Sequence, residues 1–168
     1  MSKTHPYRWQ LFAAVFLLST SYISASQALD DESSSPTWDV AAPHYSVDAQ
    51  TLPLNVSEGT WMNLDVSPDG RHIAFDMLGD IYQLPISGGK AEPLLSGHAW
   101  EIQPQYSPDG RFLAFTSDRN GADNIWVMDL SNPGNKQQIT HETFRLLNNP
   151  NWHPSGNYLV AKKHFTTS

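Results

Sequence analysis

The residues able to do chemistry are few and widely spaced. Seven histidines stand at positions 5, 44, 72, 98, 141, 153 and 164, and cysteine is absent. No two histidines lie at i, i+2 or i, i+4, so the local spacing that zinc requires is missing. Without cysteine there are no disulfides, thiolate metal sites or thiol catalysis. His141-Glu142-Thr143-Phe144-Arg145 begins like the helix of a zinc protease, but Arg145 occupies the place of the second histidine. It reads as a loop. Asp118 to Asn124 (DRNGADN) gathers oxygen ligands suited to calcium, yet lacks the spacing and distal Glu of a calcium loop. A strand-connecting turn is the simpler reading, with Asp118 and Arg119 available to pair across neighbouring units. Neither a nucleophile elbow nor a phosphate loop is present. The expected tally is no catalytic, no metal and no cofactor-binding residue.

The charge balance is consistent with that. Ten Lys and Arg against 17 Asp and Glu give a formal net charge of −7. This lacks the basic footprint of a nucleic-acid binder. The 12 prolines and 10 glycines favour a turn-rich chain over a helical bundle.

What must position these residues is a repeat. Ser67-Pro68-Asp69-Gly70 returns as Ser107-Pro108-Asp109-Gly110 and, in degenerate form, as His153-Pro154-Ser155-Gly156. The prolines are 40 and then 46 residues apart, a period that signals repeat architecture. Pro68 or Pro108 fixes φ for the second position of a type I turn, Asp bonds nearby backbone, and Gly70 or Gly110 accepts the left-handed conformation. An apolar strand follows each turn: Ile73-Ala74-Phe75, Leu113-Ala114-Phe115 and Leu159-Val160-Ala161. An aromatic-bearing strand precedes it. In the second copy strands are predicted over about 100–106, 111–117, 124–130 and 136–140. Four antiparallel strands per repeat make one propeller blade.

The fold expectation is therefore all-β: an incomplete propeller of about two and a half blades over residues 45–168, with blades near 59–96, 98–141 and 143–168. Residues 45–57 read as one further lone strand. Trp61, Trp100, Trp126 and Trp152 could form a sugar-stacking platform, but core packing is the simpler expectation. Asn55-Val56-Ser57, a formal glycosylation sequon, reads as chance.

The N-terminus reads as an address. Lys3 and Arg8 precede the apolar run Leu11–Leu18, and Ser26-Gln27-Ala28 sets small residues around a cleavage point. This is the pattern of a secretory signal peptide over 1–28, too short for a span of about 20 apolar residues. The alternative is an uncleaved anchor. Residues 29–44 form an acidic, Ser- and Pro-rich leader.

At the SPDG repeats the chain resembles the TolB-like, WD40-like β-propeller family. The resemblance covers roughly 45–168. Longer strings, including Glu58-Gly59-Thr60-Trp61-Met62-Asn63, Asp123-Asn124-Ile125-Trp126-Val127-Met128 and Lys162-Lys163-His164-Phe165-Thr166, are similar to the N-terminal propeller of secreted bacterial proteins that end in an amidohydrolase domain. That resemblance implies a propeller that is not itself catalytic. It would support a downstream metal-dependent hydrolase of amide-type C–N bonds, with the divalent metal held in that domain. It also implies location in the periplasm of a Gram-negative bacterium. The implied partners are the rest of the propeller, the hydrolase domain and envelope proteins. A TolB-like interaction scaffold and the propeller of a serine peptidase are the alternatives. On this reading the 168 residues are a truncated N-terminal piece.

Overall fold

The structure, a computed structural model, describes residues 39–44 and 53–165. The signal peptide expected over 1–28, the leader up to residue 38 and residues 45–52 of the expected lone strand lie outside these. Among the described residues no helix is long and apolar enough to cross a membrane.

Among the described residues ten strands form three antiparallel sheets. The first contains β1 (Leu64–Val66), β2 (His72–Met77), β3 (Asp80–Pro85) and β4 (Glu92–Leu95). The second contains β5 (Glu101–Tyr106), β6 (Phe112–Ser117), β7 (Asn124–Asp129) and β8 (Asn132–Gln138). The third pairs β9 (Leu147–Trp152) with β10 (Leu159–Lys163). Neighbours in sequence are neighbours in each sheet, so every sheet is a meander. Prolines sit where the ladder tolerates them: Pro93 and Pro133 on the edge strands β4 and β8, and Pro104 at the register shift of β5.

The sheets stack as successive blades, and the burial pattern reveals the order. In β2 only alternate residues, Ala74 and Asp76, are fully buried. In β6 every residue from Leu113 to Ser117 is buried. A strand covered on one face buries every second side chain, and a strand covered on both buries them all. The second blade is thus enclosed by the first and third. Ala74, Ile81 and Leu95 of the first blade meet Tyr106, Leu113, Phe115 and Met128 of the second in one core cluster.

Positions counted from the turn prolines make the repeat physical. Ala74, Ala114 and Val160 each stand six residues after the proline. Ala74 and Ala114 are wholly buried, whereas Val160 is 59% exposed. The side chain is apolar in all three; only the covering blade differs.

Two expectations need correction. The lone strand read over 45–57 does not appear in its described part: residues 53–57 form no strand, and Leu54 and Val56 are exposed. No described strand lies alongside to complete a ladder. Core packing also does not extend to all four tryptophans, although Trp126 packs against the core cluster. Trp61 is fully exposed and Trp100 is 53% exposed, while Trp126 and Trp152 are half-buried within β7 and β9. Trp61 and Trp100 precede their strands, so the alternation that turns a strand residue inward does not act on them.

Trp100 has a different task. Its ring covers Gly79, where an added Cβ would lie 2.5 Å from the indole, and Gly79 has φ +85°. The Glu101 N–H donates to the Gly79 carbonyl at 2.8 Å, fastening the second blade to the β2–β3 turn of the first. Gly79→Ala therefore adds a clash to a left-handed backbone. Gly88, with φ +82° and open space, isolates the backbone part. Chemical denaturation should show Gly79→Ala losing about 3 kcal/mol against about 1 kcal/mol for Gly88→Ala. Equal losses would mean that the Trp100 contact contributes nothing.

Candidate functional site

The SPDG turns form a small hydrogen-bonded unit. Ser67 Oγ donates to Asp69 Oδ1 at 2.6 Å and accepts from the His72 N–H at 2.9 Å. Asp69 Oδ1 also accepts from the Arg71 N–H at 3.1 Å. The Gly70 N–H closes the turn on the Ser67 carbonyl at 2.8 Å, with Gly70 at φ +68°. Ser107, Asp109, Gly110, Arg111 and Phe112 repeat each of these contacts. Pro68 and Pro108 line the Cβ side of the following turns, near Gly110 and Gly156. In the third copy His153 takes the serine's place and Ser155 the aspartate's: His153 Nδ1 and Ser155 Oγ are 2.8 Å apart. Pro154 and Gly156 keep the turn, with the Gly156 N–H donating to the His153 carbonyl at 2.8 Å.

The Ser67 and Ser107 hydroxyls, and then the Arg71 and Arg111 N–H groups, hold the Asp69 and Asp109 carboxyls below their ordinary 3.8. A carboxyl whose folded value is lowered stabilises the fold fully above its unfolded value. The contribution is lost as pH falls through the folded value. Acid titration followed by circular dichroism should show stability falling below about pH 3.8, and the Asp69→Asn/Asp109→Asn double variant should show a shallower acid limb. An unchanged limb would remove the two turns from the acid response.

The seams between blades are built from side chains. Five residues before each turn proline stand Asn63, Gln103 and Asn149. Asp76, almost fully buried, accepts from the Asn63 N–H at 2.9 Å and from Asn63 Nδ2 at 2.8 Å. It then reaches the next blade, accepting from the Gln103 N–H at 2.7 Å. Gln103 Oε1 hands the pattern on, accepting from Thr116 Oγ1 at 2.9 Å and from the Asn149 N–H of the third blade at 2.8 Å. Gln103 and Asn149 both have left-handed φ, +59° and +56°, which turns their N–H groups toward the preceding blade. A second line runs beside it: the Tyr106 N–H donates to Asp65 at 2.8 Å, and Trp152 Nε1 donates to the Gln105 carbonyl at 3.2 Å.

In the first and second blades the first residue of the third strand closes the outer part. Asp80 Oδ1 accepts from the Gly97 N–H at 3.1 Å. Asn124, at the equivalent place, accepts from the Glu142 N–H at 2.7 Å and from Thr140 Oγ1 at 2.9 Å, and donates to the Glu142 carbonyl at 2.9 Å.

Contacts of the same kind occupy residues in Asp118 to Asn124 and His141 to Arg145. Among the described residues no three His, Cys, Asp or Glu side chains gather to hold a metal ion. Asp118 accepts from the Trp100 N–H at 2.7 Å, and the Asn124 carboxamide is taken up by Thr140 and Glu142. Asp118 and Arg119 do not pair with one another. Arg119 pairs with Glu101 on the same blade, and the Glu101 side chain is only 3% exposed, so this is a buried pair rather than a surface one. Glu142 pairs with Lys163, and Arg145 lies 5.0 Å over the Phe165 ring.

A groove of about 860 Å³ lies between the second and third blades. Phe112, Val127 and Ile139 form one wall, with Trp152, Tyr158 and Leu159 opposite. It offers shape and apolar surface. The polar lines along the seams were missed in the sequence, although the recurrence of an amide side chain five residues before each turn proline was there to be seen.

The stacked four-stranded meanders, joined by recurring side-chain seams, define a β-propeller. The family described as the TolB beta propeller domain matches residues 31–167, and the chain belongs to it. An uncharacterized protein of Agrobacterium fabrum is 39% identical over 64 residues, 36% of this chain and 22% of the relative. Tricorn protease homolog 1 of Streptomyces coelicolor is 32% identical over 74 residues, 44% of this chain and 7% of the relative. Among solved structures, a protein of Agrobacterium tumefaciens assigned as a TolB superposes with TM-score 0.56 at 28% identity, covering 64% of this chain and 40% of the other. The matched parts therefore span less than a quarter of these curated relatives and less than half of that solved chain.

Proposed function

We propose that the chain is the non-catalytic, N-terminal propeller portion of a larger exported protein, and that it supports a downstream metal-dependent hydrolase of amide-type C–N bonds. The observation that carries the non-catalytic part is the use made of the polar side chains. Asp65, Asp76, Asp80, Glu101 and Asn124 are spent on backbone N–H groups, on a buried ion pair or on a seam. A hydrolase needs such groups free to meet substrate. The apolar surface supports a place among further blades: Leu64 and Val66 on the first blade and Leu146, Tyr158 and Val160 on the third are exposed. The long strings quoted from the sequence support the hydrolase class, and the signal-peptide pattern supports a periplasmic location.

A TolB-like scaffold that binds envelope proteins is the second reading, supported by the likeness to the Agrobacterium tumefaciens structure. The Streptomyces coelicolor relative keeps the propeller of a peptidase as a third. An assay of the full gene product on N-acyl amide substrates separates them. Hydrolysis that a chelator abolishes and divalent metal restores is expected, with none from residues 29–168 alone. Peptidase activity that survives chelation, or no hydrolysis by the full product, would overturn the hydrolase reading.

A further inference from the structure

The outer seam between the first two blades holds a polar pocket of about 340 Å³, lined by Gly97, His98, Ala99, Glu101, Arg119 and Lys136 among others. Its charges do not balance. The buried Glu101 carboxylate is taken by Arg119, and Lys136 meets no carboxylate among the described residues. Counting only Lys, Arg, Asp and Glu among the described residues, the pocket therefore carries one net positive charge in a chain whose overall charge is −7.

The donors there are also unevenly used. Arg119 gives Nη2 to Glu101 and Nε to Ser117 Oγ at 3.3 Å. A guanidinium has five N–H donors in a rigid fork, and no acceptor among the described residues takes those of Nη1. The guanidinium carbon lies 5.1 Å over the Trp126 ring and 5.9 Å from the Phe115 ring, which fixes its plane. Trp126 does not itself line the pocket; beneath the guanidinium its Nε1 is buried with no acceptor among the described residues, and a buried donor left unpaired is uncommon. Burial, and then the neighbouring Arg119, hold the Lys136 ammonium below its ordinary value. An added negative charge would relieve that repulsion.

We propose that this pocket binds a small carboxylate anion, held by Lys136 Nζ and by the Nη1 donors of Arg119. A monoanion matches the single unbalanced charge. A phosphate dianion would meet the Glu101 carboxylate with a charge to spare. The fixed guanidinium fork suits the two coplanar oxygens of a carboxylate.

The test follows the Trp126 indole N–H resonance of the intact ¹⁵N-labelled protein, assigned with Trp126→Phe. Sodium acetate is titrated against sodium chloride at constant ionic strength, and inorganic phosphate is titrated in a third arm. The expected result is a saturable shift with acetate and none with chloride. Phosphate should bind more weakly, and acetate affinity should fall at least tenfold in Lys136→Gln. Lys136 is half-buried on the edge strand β8, so this variant should keep its native indole dispersion, and Lys136→Arg should restore binding. No saturable acetate response would overturn the proposal. So would undiminished affinity in a folded Lys136→Gln, and tighter phosphate binding would overturn the carboxylate class.

Discussion

Phe115→Ala is expected to destabilise the protein by about 4 kcal/mol, and Phe75→Ala by about half of that, in urea denaturation followed by tryptophan fluorescence. Both residues stand seven positions after their turn proline, at the same place in their blades. Phe115 is wholly buried between the first and second blades, with Leu113 and Tyr106 in the same cluster. Phe75 is half-buried; it stacks on Tyr82 with ring centroids 5.6 Å apart but faces away from the second blade. The cost of truncating a buried ring includes both lost transfer free energy and the cavity left behind. A half-covered ring leaves no closed cavity, so the second part shrinks. Equal losses at the two sites would mean that the face of the first blade is covered in solution by something else.

Asp76→Ala carries the second large effect, expected at about 3 kcal/mol. Three donors lose their acceptor at once: the Asn63 N–H, Asn63 Nδ2 and the Gln103 N–H. Water can serve the exposed Asn63. It reaches the Gln103 N–H less easily, because that group lies in the seam at a left-handed residue. Bonds to a charged acceptor contribute more than neutral ones. Asp76→Asn keeps one acceptor oxygen, and its loss should be near 1 kcal/mol. Because Asp76 joins two blades, the Ala variant should also broaden the transition, as the first blade loosens before the second. A loss under about 0.5 kcal/mol would show that the seam bonds are replaceable by water.

The sequence carried the blades because their signals are local. Pro68, Asp69 and Gly70 set a turn through their own backbone preferences, and Ile73, Ala74 and Phe75 announce a strand beside it. The predicted strands of the second copy differ from the observed ones by a residue or two at most ends. β8 is the exception: it begins at Asn132 rather than about 136, because an edge strand tolerates Pro133 and Gly134. What was not legible depended on residues distant in sequence. Whether Trp61 is buried depends on a neighbouring blade, and nothing in its own flanks reveals that. The Glu101–Arg119 pair spans 18 residues and Asp76–Gln103 spans 27. Neither follows from strand periodicity. The Asn63, Gln103 and Asn149 series could have been found, because its register is fixed by the same prolines that define the repeat.

The most direct test of the proposed role is to read the gene past codon 168. A frame that runs through further blades into a domain bearing a His-x-His pair is the expected result. It would make this chain the front of a metal-dependent hydrolase. A frame that stops at once, or that closes the propeller and ends, would contradict that role. One that enters a domain with a G-x-S-x-G elbow would replace it with a peptidase.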